Sequence, residues 1–89
     1  MKAVISVVGK DAVGIIAKVS AECAKCSVNI LDISQSVLNG YFTMIMITDI
    51  STISVPFNEF VDSMALLGKE NHLDIHTMHE DIFNAMHTI

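Results

Sequence analysis

Hydrophobic side chains along the chain follow two spacings, one typical of strands and one typical of helices. The first segment, Lys2 to Gly9, is apolar at both odd and even positions, the pattern of a strand covered on both faces. From about Val13 to Cys26 the apolar residues recur every three or four positions. This spacing predicts an amphipathic helix directly after a buried strand.

The middle of the chain has the pattern of a β-hairpin. Asn29 to Leu38 is strand-like, and Tyr41 to Ile50 is rich in β-forming residues. Asn39-Gly40 lies between them and is among the strongest short signals for a two-residue hairpin turn. Both sides of the second of these strands are apolar, so a homodimer partner or the chain's own terminal helix is expected to cover one of them.

The last third predicts a helix, a strand and a short final helix. Pro56 suits the first turn of the helix, and Gly68 stands where its C-cap would be. His72 to His79 alternates apolar and polar residues, which predicts a half-exposed strand. The buried stripe of the longer helix would comprise Phe57, Phe60, Val61, Met64 and Leu67, and the terminal helix would carry Ile82, Phe83, Met86 and Ile89 on one side.

The predicted order β-α-β-β-α-β-α indicates an α+β fold, the two-layer ferredoxin-like βαββαβ sandwich, followed by a short C-terminal helix. With 89 residues and 9.7 kDa, the chain is expected to be a single domain spanning residues 1–89. Hydrophobic residues make up 52 % and mean hydropathy is +0.54, so part of the surface is expected to contact another chain.

The charge pattern makes nucleic acid an unexpected partner. The five basic residues are all lysines, the ten acidic residues leave a net charge of −5, and the chain contains no arginine. Nucleic-acid binding relies on clustered cations that neutralise phosphates. No apolar run approaches the ~20 residues needed to cross a bilayer, and no signal-cleavage pattern follows the first segment. We therefore expect a cytoplasmic protein that does not associate with membranes.

The connection between the first strand and first helix is a candidate binding site. It reads Gly9-Lys10-Asp11-Ala12-Val13-Gly14-Ile15 and leads into a helix N-terminus, where unpaired N–H groups favour an anion. Asp11 could accept an ammonium group, so an amino acid offers both complementary charges. The alternative is purely structural, with Asp11 as helix N-cap and Gly14 as a packing glycine.

Three segments together resemble the small stand-alone ACT-domain proteins, which are related to the N-terminal half of the glycine cleavage system transcriptional repressor. These segments are the turn just described, Asn29-Ile30-Leu31-Asp32-Ile33-Ser34-Gln35, and the tail His79-Glu80-Asp81-Ile82-Phe83-Asn84-Ala85-Met86-His87. The resemblance covers essentially the whole chain. One departure is Ser27, where the subgroup usually has glycine; a left-handed conformation there would cost on the order of 1 kcal/mol.

The resemblance implies a regulatory domain that pairs side by side into an eight-stranded sheet, with an amino-acid effector at the interface. The turn of one subunit would face the second strand of its partner. The candidate ligand-binding residues are then Gly9, Lys10, Asp11, Gly14 and Ile15 on one side, with Asn29 and Ile30 on the other. We expect a small-molecule sensor that passes its signal to a protein partner and needs no cofactor.

Other chemistries are less well supported by the sequence. Cys23-Ala24-Lys25-Cys26 falls at the end of the predicted helix, which favours core cysteines over a redox or metal motif. His72 and His76 would lie roughly 13 Å apart on a strand, too far to share one ion. No catalytic constellation is evident, so we expect no enzymatic activity. A ligand-independent protein-interaction module, and more weakly a metal- or thiol-responsive protein, are the alternatives.

Overall fold

The computed structural model describes residues 1–10 and 13–86, and these form the predicted ferredoxin-like sandwich. All seven predicted elements are present in the predicted order. They are β1 (Lys2–Gly9), α1 (Ile15–Lys25), β2 (Asn29–Leu38), β3 (Tyr41–Asp49), α2 (Phe57–Glu70), β4 (Asp74–His79) and α3 (Glu80–Met86). Ile89, predicted to continue the terminal helix, lies outside the described residues.

The four strands form one antiparallel sheet in the order β2-β3-β1-β4. β1 is therefore a central strand, as its two-sided apolar pattern predicted. Ala3 pairs with Thr48 of β3 on one side and with His79 of β4 on the other. β2 and β4 are the two edges of the sheet.

The main core lies between the sheet and the two longer helices. Ala3, Ile5 and Val7 point into it from β1. α1 and α2 each present side chains four residues apart, the spacing that keeps them on one helix face. These are Ile15, Val19 and Cys23 of α1, with Phe60, Met64 and Gly68 of α2.

The hairpin turn between β2 and β3 is confirmed. Asn39 and Gly40 have φ angles of 53° and 80°. A two-residue turn with both central φ angles positive is the type I′ turn, whose twist matches that of the flanking strands. Asparagine and glycine tolerate this backbone better than other residues, which is why the sequence signal was strong.

The predicted helix end at Gly68 was wrong. α2 continues to Glu70, and Gly68 lies inside it, where its carbonyl accepts the N–H of Leu73 at 2.8 Å. A Cβ on Gly68 would come within 2.7 Å of the Leu73 carbonyl oxygen. Glycine is required here by the close approach of β4, not by a helix cap. His72 has a φ of 57° and lies before β4, which begins at Asp74 instead of His72.

α3 covers part of the sheet face opposite the main core. It packs on β1 and β4, and Val4, which points to this face, is completely buried. The half of the face formed by β2 and β3 is more open: Leu38 is 70 % and Tyr41 45 % exposed. The terminal helix therefore does not cover the whole face, and the apolar surface of the β2–β3 half stays accessible in the single chain.

Candidate functional site

The N-cap position of α1 is a glycine, which has no side chain to cap the first N–H groups of the helix. Gly14 is the N-cap residue, with φ 73° and ψ 2°, a left-handed conformation that favours glycine. No side chain among the described residues caps α1, and the first intrahelical bond runs from the N–H of Lys18 to the Gly14 carbonyl at 3.1 Å. Asp11, the predicted ammonium acceptor, lies with Ala12 outside the described residues.

Lys10 reaches the opposite side of the sheet from α1. Its Nζ lies 5.5 Å from the centroid of the Tyr41 ring. Tyr41 pairs with Leu38 and points away from the two long helices, in phase with Thr43 and Ile45 of the same strand. A cation at this distance from an aromatic face is attracted by the ring quadrupole. Lys10 is thus positioned by Tyr41 and away from the first turn of α1.

Asn29 and Ile30 begin β2 beside a cavity at the C-terminal end of α1. The cavity has a volume of about 410 Å³. It is lined by Ser20, Cys23, Ala24, Ser27, Val28, Asn29, Ile30 and Thr52. The Thr52 hydroxyl donates to the Ser27 carbonyl at 3.1 Å, which joins the connection after β3 to the end of α1. Sequence patterns did not single out Thr52, because only the folded backbone brings this connection against α1.

The two parts of the predicted site lie at opposite ends of the sheet. Gly9 pairs with Phe42 near the start of β3, and Asn29 pairs with Asp49 at its end. Seven residues along a strand correspond to about 23 Å at ~3.3 Å per residue. One chain therefore brings Gly9, Gly14 and Ile15 to one end of the sheet, where the Lys10 side chain turns toward Tyr41, and Asn29 with Ile30 to the other end. It does not join the two groups.

The outer edge of β2 is long, carries exposed apolar residues and has no partner strand among the described residues. β2 pairs only with β3 within the described chain, and a β-bulge lies between Ile30 and Asp32. Val37 is 72 % exposed, and Leu31 and Leu38 are also exposed. Edge strands are usually protected by proline, lysine or short length, and β2 has ten residues and neither residue type. Such an edge is suited to pairing with another strand.

The two cysteines are core residues with protonated thiols. Cys23 and Cys26 are both buried and free. Burial raises the pKa of the Cys23 thiol to about 11, and the charges of Cys26 and Glu22 act in the same direction. The pKa of Cys26 is also raised, mainly by burial. Because the thiolate is the nucleophile and the metal ligand, neither cysteine is activated for these roles.

The histidines and acids do not gather around one point. The Nε2 atom of His76 lies 4.0 Å from Oδ1 of Asp74, and both side chains are largely exposed. Within residues 1–10 and 13–86, no group of three or more histidine, cysteine or acidic residues is arranged to hold a metal ion.

None of the helices formed by the described residues combines the length and apolarity that crossing a bilayer requires.

Comparisons with known proteins agree with the architecture. The ACT domain family model matches residues 2–78. The chain is 52 % identical over 89 residues to a UPF0237 protein of Clostridium perfringens, with complete coverage of both chains. The structure is similar to an ACT domain protein from Streptococcus pneumoniae, with a TM-score of 0.81, 40 % identity and 93 % coverage of each chain.

A regulatory protein also appears among the similar structures. A candidate glycine cleavage system transcriptional repressor matches with a TM-score of 0.66 and 28 % identity. The match covers 85 % of this chain and 43 % of that one. With a family model over most of its length, relatives that share its full length, and the same fold in solved structures, the chain belongs to the ACT domain family.

Proposed function

We propose that this protein is a homodimeric sensor that binds an amino acid between its subunits and passes the signal to a protein partner. ACT domains are in general ligand-sensing regulatory modules, and that membership is the starting point. The observation that carries the proposal is that the two predicted halves of the site lie at opposite ends of one sheet whose β2 edge is unpaired among the described residues.

A two-fold axis between the β2 edges of two subunits would bring the two halves of the predicted site together, one half from each subunit. Two identical edge strands related by such an axis run antiparallel, in an eight-stranded sheet ordered β4-β1-β3-β2-β2-β3-β1-β4. The start of β2 in one subunit would then lie at the same end as the β1–α1 turn of the other. Gly9 and Gly14 of one subunit would face Asn29 and Ile30 of the partner subunit, and two equivalent sites would form.

The charges of a zwitterion suit this arrangement. The N-terminus of α1, whose N-cap residue is Gly14, favours the α-carboxylate. The cavity beside Asn29 lies at the C-terminal end of α1, where the helix dipole favours a cation such as the α-ammonium. Asn29 contributes an amide that can accept from this ammonium. Asp11 is proposed as a second acceptor on the turn side.

The proposal is tested by thermal unfolding of the protein against each of the twenty amino acids, with light scattering to give the mass. A ligand at ~100 times its dissociation constant stabilises the native state by about 2.7 kcal/mol, which raises Tm by several degrees. We expect a dimer and a selective shift. Asn29→Ala and Asp11→Ala should each remove the shift, whereas Asp62→Ala, at an exposed position of α2, should retain it.

Indifference to all twenty amino acids would overturn the effector assignment. A shift that persists in both Asn29→Ala and Asp11→Ala would mean that the ligand binds elsewhere. A monomer that binds an amino acid would contradict the shared site, because one chain does not bring its two halves together.

A second candidate function is a ligand-independent protein-interaction module. It is favoured by α3, on which Ile82 and Met86 are exposed apolar residues. In this case amino acids would have no effect, and binding of a protein partner would be lost when Ile82 and Met86 are changed to glutamate. Phe83 is less suitable for this test because it is half-buried against the sheet.

A further inference from the structure

A separate cavity lies beneath α3, on the side of the sheet away from α1 and α2. Its volume is about 290 Å³. It is lined by Ser6 of β1, Ile45 of β3, His76 and Met78 of β4, and Phe83 and Met86 of α3. This volume is at the lower end of the ~300–1,000 Å³ found for ligand pockets, so it suits a molecule with a single ring.

The polar groups of this cavity lie side by side on its floor. Ser6 pairs with Ile45 on one neighbouring strand and with His76 on the other, so the three residues form one row across the sheet. Directly opposed side chains in a sheet have Cβ atoms about 5 Å apart. One hydrogen-bonding group on a ligand can therefore reach both the Ser6 hydroxyl and the His76 imidazole.

The remaining walls are apolar and adaptable. Phe83 and Met86 are three residues apart on α3 and so share a helix face, and Met78 lies next to them on β4. Methionine side chains adjust to irregular shapes and make favourable sulfur contacts with aromatic rings. These walls favour the flat body of an aromatic molecule.

The electrostatics favour a neutral head group. The Asp74 carboxylate lies 4.0 Å from the His76 imidazole, on the same face of the sheet. It would repel an anion bound at His76. Neither a lysine nor an acidic residue is among the described residues that line the cavity. A hydroxyl group, which both donates and accepts, can hydrogen-bond with a serine hydroxyl and with an imidazole ring.

α3 leaves the cavity open to solvent, because its own side chains are only partly buried. It has seven residues, none of them buried, and Met86 is 66 % exposed. α3 also lies over the β1–β4 half of this face, which keeps a second copy of the chain from lying flat on the Ser6 row. A small molecule is therefore the occupant that fits.

We propose that the cavity between α3 and the sheet is a second ligand site, for a small neutral aromatic molecule with one hydroxyl group. The residues that carry it are Ser6 and His76 for the hydroxyl, and Ile45, Met78, Phe83 and Met86 for the ring. The site is independent of the proposed amino-acid site, which lies at the sheet end and on the α1 side.

The test uses 4-fluorophenol as probe and the full chain labelled with ¹³C at the methionine methyl groups. Six methionines provide an internal comparison. Met78 and Met86 line the cavity, whereas Met44, Met46 and Met64 are buried in the main core. We expect saturable shifts of the Met78 and Met86 signals, with a dissociation constant on the order of 1 mM, and unchanged signals from the three core methionines.

Two variants, with one control, test whether 4-fluorophenol binds in this cavity. Ser6→Leu fills the floor and should weaken binding at least ~10-fold, and Val8→Leu, on the same face of β1 but outside the cavity, should leave it unchanged. His76→Ala changes an exposed residue that the fold does not need, and it should weaken binding without affecting Tm. This variant keeps the test valid if Ser6→Leu folds poorly.

Several outcomes would overturn the proposal. They are the absence of shifts at millimolar probe, equal shifts of all methionines, and unaltered binding in both Ser6→Leu and His76→Ala. The Met78 and Met86 signals could instead shift with protein concentration and not with 4-fluorophenol. That result would mean that a second copy of the chain, and not a small molecule, binds this face of the sheet.

Discussion

Two buried threonines on the main-core face differ in whether their hydroxyl has a hydrogen-bond partner. The Thr48 hydroxyl donates to the Ala3 carbonyl at 2.9 Å. The Thr77 hydroxyl is fully buried and has no partner among the described residues. An unsatisfied buried polar group costs about 1–3 kcal/mol, whereas a satisfied one contributes about 1 kcal/mol.

Replacing each threonine by valine should therefore change stability in opposite directions. Thr77→Val should raise the free energy of unfolding by about 1 kcal/mol, because a methyl group replaces an unpaired hydroxyl. Thr48→Val should lower it by about the same amount, because a buried bond is lost. Urea unfolding of both variants measures this. A loss of stability in Thr77→Val would show that its hydroxyl has a partner in solution.

Cys23 should be far less reactive than an ordinary thiol. Its pKa of about 11, raised from 9.0 chiefly by burial, means about 100-fold less thiolate at pH 8. In Cys26→Ala, burial remains the main cause of the raised pKa, so alkylation of Cys23 by iodoacetamide should be much slower in the native protein than in urea. Equal rates in both would contradict the buried thiol.

The raised pKa of Cys23 also determines whether the free energy of unfolding rises or falls with pH. Between about pH 9 and 11 the unfolded chain loses the Cys23 proton and the native chain keeps it. The unfolded state then binds fewer protons, so the free energy of unfolding falls as pH rises through this window. Cys23→Ala should flatten this part of the profile.

At the scale of the elements, the end of α1 carries avoidable strain. Ser27 has a φ of 59°, the left-handed conformation in which glycine has no steric cost. Ser27→Gly should stabilise the protein by about 0.5–1 kcal/mol, after the greater freedom of glycine in the unfolded chain is included. Ser20→Gly, inside α1, is the matched control and should destabilise by about 0.5 kcal/mol. Thermal unfolding distinguishes the two; destabilisation by both would rule out strain at Ser27.

Sequence patterns predicted the elements well, because hydrophobic spacing and turn residues are local properties. The two-sided apolar pattern of β1 was sufficient to predict a central strand, and Asn39-Gly40 was sufficient to predict a hairpin turn. The end of α2 was not predictable in this way. Gly68 looked like a helix cap, but it meets the Leu73 carbonyl, and that contact depends on how β4 returns to the helix.

At the scale of the whole molecule, the candidate site depends on strand register. The sequence named Gly14 and Asn29, but no local pattern states that they lie at opposite ends of the sheet. The pairing of β1 and β2 with β3 determines that separation. The roles of the turn residues and of Asn29 with Ile30 remain predictions until ligand binding is measured.

Charges on the β2 edge should separate the proposed dimer. Ile33→Glu combined with Val37→Glu places like charges along both edges, which destabilises strand pairing. We expect a mass near that of the 9.7 kDa monomer by light scattering. The amino-acid response should disappear together with the dimer. Leu66→Glu, exposed on α2, is the control and should leave the mass unchanged. A dimer that survives both β2 charges would place the subunit contact elsewhere.

The central position of β1 has a consequence for synthesis of the protein. β1 is synthesised before the other three strands, whereas its partner β4 is the last of the four, with Ala3 paired to His79. Thirty residues separate the end of β3 from that position, which at ~5–20 residues per second is a delay of about 2–6 s. The β2–β3 hairpin can close in microseconds during this interval. Chains truncated before residue 74 would leave one side of an apolar strand unpaired, a feature by which chaperones and proteases can distinguish incomplete chains from finished ones.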